Sequence, residues 1–236
     1  MKRDVIYTNG LVIAADNSGS VGEKKGDTVQ AEYEMVGYFS ARVALMECLA
    51  AGGEPFAAVI HNFAGEEAWS KLRAGIEQAA REAECSIQMT GSTETNFTMS
   101  ESAAGITVIG SHARQVDDFD CDSVCYGVIG KPLVGLEVLA EPHAVAPLYL
   151  FRKVIEIEGV RSILPVGSKG ILHEWRIMSG HTEMKQEDVE CSLDIEKSAG
   201  PATCFLVGFD RTAEKALKVI CAGLYSEIKH SMVETD

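Results

Sequence analysis

The strongest constraint on this chain is the stretch from residue 35 to residue 84, where two apolar-striped helical patterns enclose one short apolar segment. In the first, Val36, Phe39, Val43, Met46 and Ala50 recur at steps of three and four residues, the spacing that lines one face of an α-helix. Gly52 and Gly53 stand where a C-terminal cap belongs, and Pro55 follows. Residues 56–60 then read as a strand. In the second helix, residues 66–84, Trp69, Leu72, Ile76, Ala79, Ala80 and Ala83 form one stripe. Glu67 with Lys71, and Glu77 with Arg81, put an acid four residues before a base, the favourable order on a helix surface. Two helices with one apolar face each must lie on something, and strands supply it. Residues 11–15, 86–89 and 104–109 read as further strands, so the order is strand, loop, helix, strand, helix, strand, polar loop, strand.

The composition changes between residues 115 and 122, where Asp117, Asp118, Asp120 and Asp122 fall together without a base. A domain boundary is expected there, giving a first domain over 1–115 and a second over 122–236. The second reads as a strand from residue 123, a helix over 146–158, a strand over 163–166, a Gly-Ser-Lys-Gly turn, a strand over 203–207 and a helix over 212–230. No fixed-period repeat is visible. Both segment types alternate, so the class is α/β or α+β.

Charge removes several classes of function. With 21 basic and 35 acidic residues the net charge is -14, which repels nucleic acid and anionic membranes. No apolar run is long enough to span a bilayer, and no secretory signal is expected at the N-terminus. The seven cysteines are odd in number and several lie in apolar segments, so free thiols and a cytoplasmic location are expected. Cys121 and Cys125 lack a second Cys or His pair at finger spacing. His173, Glu174, His181 and Glu183 fit no standard metal spacing, and Trp69 and Trp175 read as packing residues.

Three polar features stand at strand ends or on the neighbouring helix. Asp16, Asn17, Ser18 and Gly19 follow the first strand, where Asp and Asn either shape a turn or serve a metal and phosphates. Glu47 lies within the apolar first helix; it either reaches water at the edge of the stripe or, because a buried carboxylate is expensive, binds a partner or Mg²⁺. The third is the polar run Thr90, Gly91, Ser92, Thr93, Glu94, Thr95 and Asn96. His61 and Asn62 end a strand beside Gly65, and Lys169 occupies a Gly-flanked turn; each is open to a turn role or a ligand role. There is no GxxxxGKS/T, so a P-loop is excluded, and no GxGxxG follows a strand.

Residues 14–27, AADNSGSVGEKKGD, resemble the segment of aminoimidazole ribonucleotide synthases in which an Asp and a Gly-Lys loop meet nucleotide and metal. Residues 36–63 resemble the helix of the same superfamily, with its Gly-x-x-Pro matched by Gly52 to Pro55. Residues 66–95 are similar to the helix, strand and Gly-Gly-Asp-Thr loop of thiamine-monophosphate kinases. The ordered match runs from about residue 11 to 110, and the strings DNSGSVGEK, HNFAGEEAW and TGSTETNF look most like short α-ribazole kinases, which serve cobalamin lower-ligand salvage. The departures are specific. Ser92 replaces an Asp, with Glu94 nearby; Glu47 stands where an Asp is usual; the N-terminal Gly-Asp-Asp is missing; Lys169 replaces the Asp of Ser-Asp-Gly; and Gly200-Pro201-Ala202 replaces Gly-Glu-Asp.

The resemblance implies an α+β, PurM-like fold: an N-terminal half-barrel of four strands with helices on one side, and a smaller, trimmed C-terminal α/β domain closing over substrate. It implies a homodimer paired across the N-terminal sheets. It implies ATP and Mg²⁺ as cofactors, with nucleotide contacts from Asp16, Asn17, Ser18, Gly19, Lys24, Asn62, Gly91, Ser92, Thr93 and Lys169, and metal ligands Asp16, Glu47 and Glu94. The expected reaction is phosphoryl transfer from ATP to a ribose hydroxyl of a nucleoside-like small molecule, α-ribazole. No general base can be named. The rival expectations are a nucleotide-binding module without turnover, suggested by Ser92 and Lys169 in place of acids, and an enzyme of thiamine-monophosphate kinase or aminoimidazole ribonucleotide synthase type.

Overall fold

A computed structural model describes residues 5–115, 119–121 and 123–230. Of the acidic boundary stretch, Asp117, Asp118 and Asp122 lie outside the described residues, as do the first four residues of the N-terminal segment. The chain divides into two compact units, Lys2–Gln115 and Val116–Asp236.

The first unit is one mixed sheet with two helices. Strands β1 (Val5–Thr8) and β2 (Leu11–Gly19) form a hairpin. Two short pieces, β3 (Val21–Gly22) and β4 (Val29–Gln30), pair with each other. Helix α1 (Tyr33–Ala50), strand β5 (Gly53–Asn62), helix α2 (Glu66–Glu82), β6 (Gln88–Thr93) and β7 (Ala103–His112) complete the unit. The sheet order is β1-β2-β7-β5-β6, with β5 and β6 parallel and the other pairs antiparallel. It therefore has five strands where four were expected, because the N-terminal segment folds back as β1.

Alternation along the strands assigns the two faces. Val12, Ala14, Ala58, Ile60, Ile106 and Val108 are buried and face the helices. On the other face lie Ile13, Ala15, Val59, Thr107 and Ile109, joined by Ile6 at 61 % exposure. The helices press on each other through glycines. A Cβ on Gly37 would fall 2.3 Å from Leu72 O, and one on Gly75 would fall 1.9 Å from Glu34 O. Only glycine allows α1 and α2 to approach so closely, which brings fully buried Leu72 and Ile76 into the core at roughly 1.5–3 kcal/mol each.

The second unit contains β8 (Cys125–Ile129), α3 (Leu136–Ala140), α4 (Leu148–Ile155), β9 (Val160–Pro165), α5 (Gly170–Ser179), β10 (Val189–Glu190), β11 (Phe205–Phe209), α6 (Glu214–Cys221) and β12 (Tyr225–His230). Its antiparallel sheet has the order β10-β12-β8-β11-β9. Trp175 of α5 packs with Tyr126, Val128, Leu164 and Leu206. Phe151 of α4 meets Phe205 edge-on at 4.9 Å. The expected helix over residues 212–230 is corrected: α6 stops at Cys221, Ala222 takes a φ of 42°, and residues 225–230 form a strand. Pairing with β8 and burial of Ile228 override the helical pattern there.

Candidate functional site

The polar segment after residue 15 is not a flexible loop. Asp16, Asn17, Ser18 and Gly19 continue β2, paired with Ile106, Gly105, Ala104 and Ala103. Likewise Gly91, Ser92 and Thr93 belong to β6, paired with Ile60, His61 and Asn62. The neighbouring ladders supply the backbone partners that an isolated polar segment lacks. The pairing sorts the candidates onto two faces. Asn17, Gly105, His61 and Ser92 form one row on the face without helices. Asp16, Ser18, Asn62, Gly91 and Thr93 belong to the rows facing the helix layer.

Asp16 is half-buried. Burial pushes its carboxyl up to about 6, against the opposing effect of a hydrogen bond from the Asn17 N–H. Gly91 is there for space: a Cβ on it would fall 2.2 Å from Ile60 O.

Several predicted ligand residues spend their polar atoms on the scaffold. Asn62 donates from Nδ2 to Gly65 O at 2.8 Å and Thr93 Oγ1 at 3.1 Å, and its Oδ1 accepts the Ala64 N–H at 2.9 Å. It thereby ties the ends of β5 and β6 to the start of α2. Glu94 turns back over its own loop, where Oε1 accepts the N–H groups of Asn96 and Phe97 at 2.6 and 3.2 Å. Lys24 Nζ lies 3.1 Å from Met99 O and 3.4 Å from both Phe63 O and Glu101 O. Its ammonium binds carbonyls in this structure rather than facing an open phosphate site.

The residue that organises this end of the sheet is Asp27. Its Oδ1 accepts the Ser102 N–H at 2.6 Å, while Oδ2 accepts the Ser102 hydroxyl at 2.7 Å and the Lys24 N–H at 2.9 Å. Burial raises its pKa, but the Ser102 and Lys24 hydrogen bonds outweigh this and hold it below the usual carboxylate value. Ser102 Oγ also lies 2.9 Å from the Tyr33 hydroxyl at the start of α1. Glu23 accepts the Tyr33 N–H at 3.1 Å and pairs with Lys71 at 2.8 Å. In the sequence Asp27 looks like an ordinary loop residue, and its only signal is a Gly-Asp pair in the Gly- and Lys-rich stretch.

Glu47 is buried rather than reaching water at the edge of the stripe. Helix α1 starts at the polar end, where Tyr33 meets Ser102, and finishes at the far end, where Tyr7 donates to Ala51 O at 3.2 Å. Cys48, the next residue after Glu47, crowds Gly53 and Gly110, and Gly110 pairs with Val12. Val12 is four residues from Asp16, roughly 13 Å along an extended strand. The acidity of Asp16 responds to burial and to Asn17; Glu47 is not among its causes. A single Mg²⁺ needs ligands about 2.1 Å away, which makes Asp16 and Glu47 an unfavourable pair for one ion.

Lys169 is exposed and precedes α5 in the second unit. Trp175 is core and Trp69 is half-buried, as packing residues should be. All seven cysteines are free. Among the described residues, no group of three or more His, Cys, Asp or Glu is placed to hold a metal ion, which includes the stretch around His173, Glu174, His181 and Glu183. No helix among the described residues is long and apolar enough to cross a membrane.

No protein-family model matches the chain, and no curated protein matches it. Solved structures do. HypE in the HypE–HypF complex superposes with a TM-score of 0.61 at 15 % identity, over 97 % of this chain and 87 % of that one. The thiamine-monophosphate kinase of Stenotrophomonas maltophilia gives 0.58 at 13 % identity, over 96 % and 88 %. AaThiL complexed with AMPPCP and TMP gives 0.57 at 13 % identity, over 96 % and 82 %. The fold is PurM-like. The PurM-like fold accounts for the mixed α+β architecture and for both units together, since each match covers nearly the whole chain.

Proposed function

We propose that the chain is an ATP-dependent small-molecule kinase whose nucleotide phosphates lie at the polar end of the first sheet, beside Asp16. The observation that carries this reading is Asp16 itself, a half-buried carboxylate whose pKa burial raises to about 6, in a PurM-like fold. A carboxylate held in such surroundings is a functional-site candidate, because a cation would compensate what burial costs. Support also comes from the neighbours that share the fold, among them thiamine-monophosphate kinases, one of them with AMPPCP and TMP bound.

In this reading Asp16 is the protein's Mg²⁺ ligand, which suits an ion that takes one or two carboxylates and shares substrate phosphates. Bound there, the ion supplies charge neutralisation on the phosphates. Ser18, on the same face of the sheet as Asp16, orients phosphate oxygens, and Gly19 lets the β2 backbone approach them; Asn17, His61 and Ser92 lie on the opposite face and take no part at this ion. The γ-phosphoryl group passes in line to an acceptor hydroxyl; the bond to ADP breaks as the new P–O bond forms, and the acceptor proton passes to solvent. Positioning and charge carry such a transfer, so few residues need to react. Lys24, Asn62 and Glu94 act indirectly, by holding the loops. The acceptor we favour is the ribose hydroxyl of α-ribazole, on the strength of the resemblance around Asp16, His61 and Ser92. Incubation with ATP, Mg²⁺ and α-ribazole should yield the phosphorylated nucleoside by mass; turnover of thiamine monophosphate instead would move the acceptor and keep the reaction class.

The dimer belongs to the same proposal. The helix-free face of the first sheet, with Ile13, Val59, Ile109 and exposed Ile6, is covered by a second copy. A second reading, nucleotide binding without turnover, is favoured by Ser92 and Lys169 where the resembled enzymes carry acids. ATP binding with no product from any acceptor is its signature.

A further inference from the structure

The second unit holds a cavity of about 550 Å³, in the range of small-molecule sites. It is bounded by the end of β8, the start of α4 and the turn from α6 into β12. None of this surface takes part in the proposed phosphoryl transfer. We propose that the cavity binds a small organic anion: a phosphate or carboxylate carried on an apolar ring or short chain.

Charge is the first argument. The chain carries 35 acidic residues against 21 basic ones, yet no Asp or Glu lines the cavity, while Lys131 and His143 do. Glu141 reaches Lys131 only at the exposed edge, at 3.4 Å, a contact that an entering anion outcompetes at little cost. A further base stands near Tyr149, since Lys153 Nζ lies 5.3 Å from the centroid of its ring. Tyr149 and Ser226 add hydroxyl groups to the same surface.

The remaining wall is apolar. Leu150 is buried, Leu193 and Leu224 are half-buried, and Ile220 keeps 41 % of its surface exposed. Exposed apolar surface inside a concavity gains by accepting an apolar body, at about 25 cal/mol per Å² removed from water. The lining is also built against local preference. Ala222 holds a φ of 42° and ψ of -126°, a conformation that costs a non-glycine residue roughly 1–3 kcal/mol. This reversal places Gly223 and Leu224 on the wall, and Leu224 O accepts the Gly130 N–H at 2.9 Å, fixing the wall to β8. A fixed, concave surface with bases on one side and apolar residues on the other matches an anion with an apolar body. A bare ion leaves the apolar side empty, and a neutral molecule leaves the bases unused.

The test uses the full-length protein, with phenyl phosphate and phenylacetate as probes and inorganic phosphate and phenol as the two half-ligands. NMR titration should show saturable binding of at least one aryl anion, with the His143 ring and Ile220 methyl resonances shifting together. Both half-ligands should bind at least about tenfold more weakly than that probe. Lys131→Gln should weaken it about fivefold and Ile220→Asp about tenfold or more, whereas Asp16→Asn should change nothing. Phosphate and carboxylate sources are separated by which probe binds more tightly. The proposal is overturned if neither probe saturates, if shifts appear only away from His143 and Ile220, or if both cavity variants bind as the wild type does. Because both substitutions are at exposed side chains, a native-like amide spectrum confirms that a loss reflects the site.

Discussion

Asp27 grips Ser102 twice, through the backbone N–H at 2.6 Å and the hydroxyl at 2.7 Å, across 75 residues of sequence. This contact converts a Gly- and Lys-rich loop into a fixed edge of the candidate site, because the same carboxylate holds the Lys24 N–H and Ser102 reaches Tyr33. Asp27→Ala should destabilise the protein by about 2–3 kcal/mol, the range for hydrogen bonds to a buried charge left without its acceptor. The sign with pH follows from its lowered pKa: the stabilisation is present above the unfolded carboxylate value near 4 and is lost as pH falls through the still lower folded value. Urea titrations of wild type and variant at pH 7 and pH 3 check this; the gap between the two stabilities should be smaller at the lower pH.

Asp16 has the opposite linkage. Its folded pKa is raised to about 6, so the folded state binds the proton more tightly and the charged carboxylate destabilises the apoprotein above pH 6. Asp16→Asn should therefore stabilise the protein at pH 7.5 by roughly 1–2 kcal/mol, discounted for partial exposure, with the gain vanishing near pH 4. The same variant should lose at least about tenfold in Mg²⁺-dependent ATP affinity. Calorimetry with and without Mg²⁺ measures the binding, and thermal melts measure the stability. Gain of stability with loss of binding separates a ligand from a scaffold residue.

Glu47→Gln should keep Mg²⁺-dependent ATP binding within about twofold of wild type, because the next residue, Cys48, packs against Gly53 and Gly110, toward the end of the sheet away from Asp16. A loss equal to that of Asp16→Asn in the same calorimetric experiment would reject the assignment made from the geometry.

The α1–α2 crossing depends on two glycines. Gly75→Ala places a methyl group 1.9 Å from Glu34 O, so the helices must separate, at about 2–4 kcal/mol. Gly19→Ala meets nothing within 4 Å and should change stability by less than about 1 kcal/mol. Paired urea unfolding curves make the comparison.

A dimer through the helix-free face should sediment as such at micromolar concentration. Ile109→Lys puts a charge in the middle of that face and should shift the boundary to the monomer without loss of helical circular dichroism.

The helices of the first unit were legible because their apolar stripes run on without interruption; the pattern expected over residues 66–84 appears as Glu66–Glu82. The superfamily resemblance likewise pointed to a PurM-like fold. Long-range partnership was not legible. Asp16 to Gly19 read as a loop because polar residues and glycine rarely make strands, yet their register with β7 continues β2 through them. The sequence left Glu47 either at the exposed edge of its helix stripe or buried, and the structure buries it. Where it is buried depends on the direction in which α1 crosses the sheet. Local spacing sets helix and strand through contacts only a few residues apart, and the sequence alone determined that much. The two faces of the sheet, the Asp27–Ser102 grip and the burial of Glu47 were decided by tertiary structure, because each depends on strand register and helix direction between residues far apart in the chain.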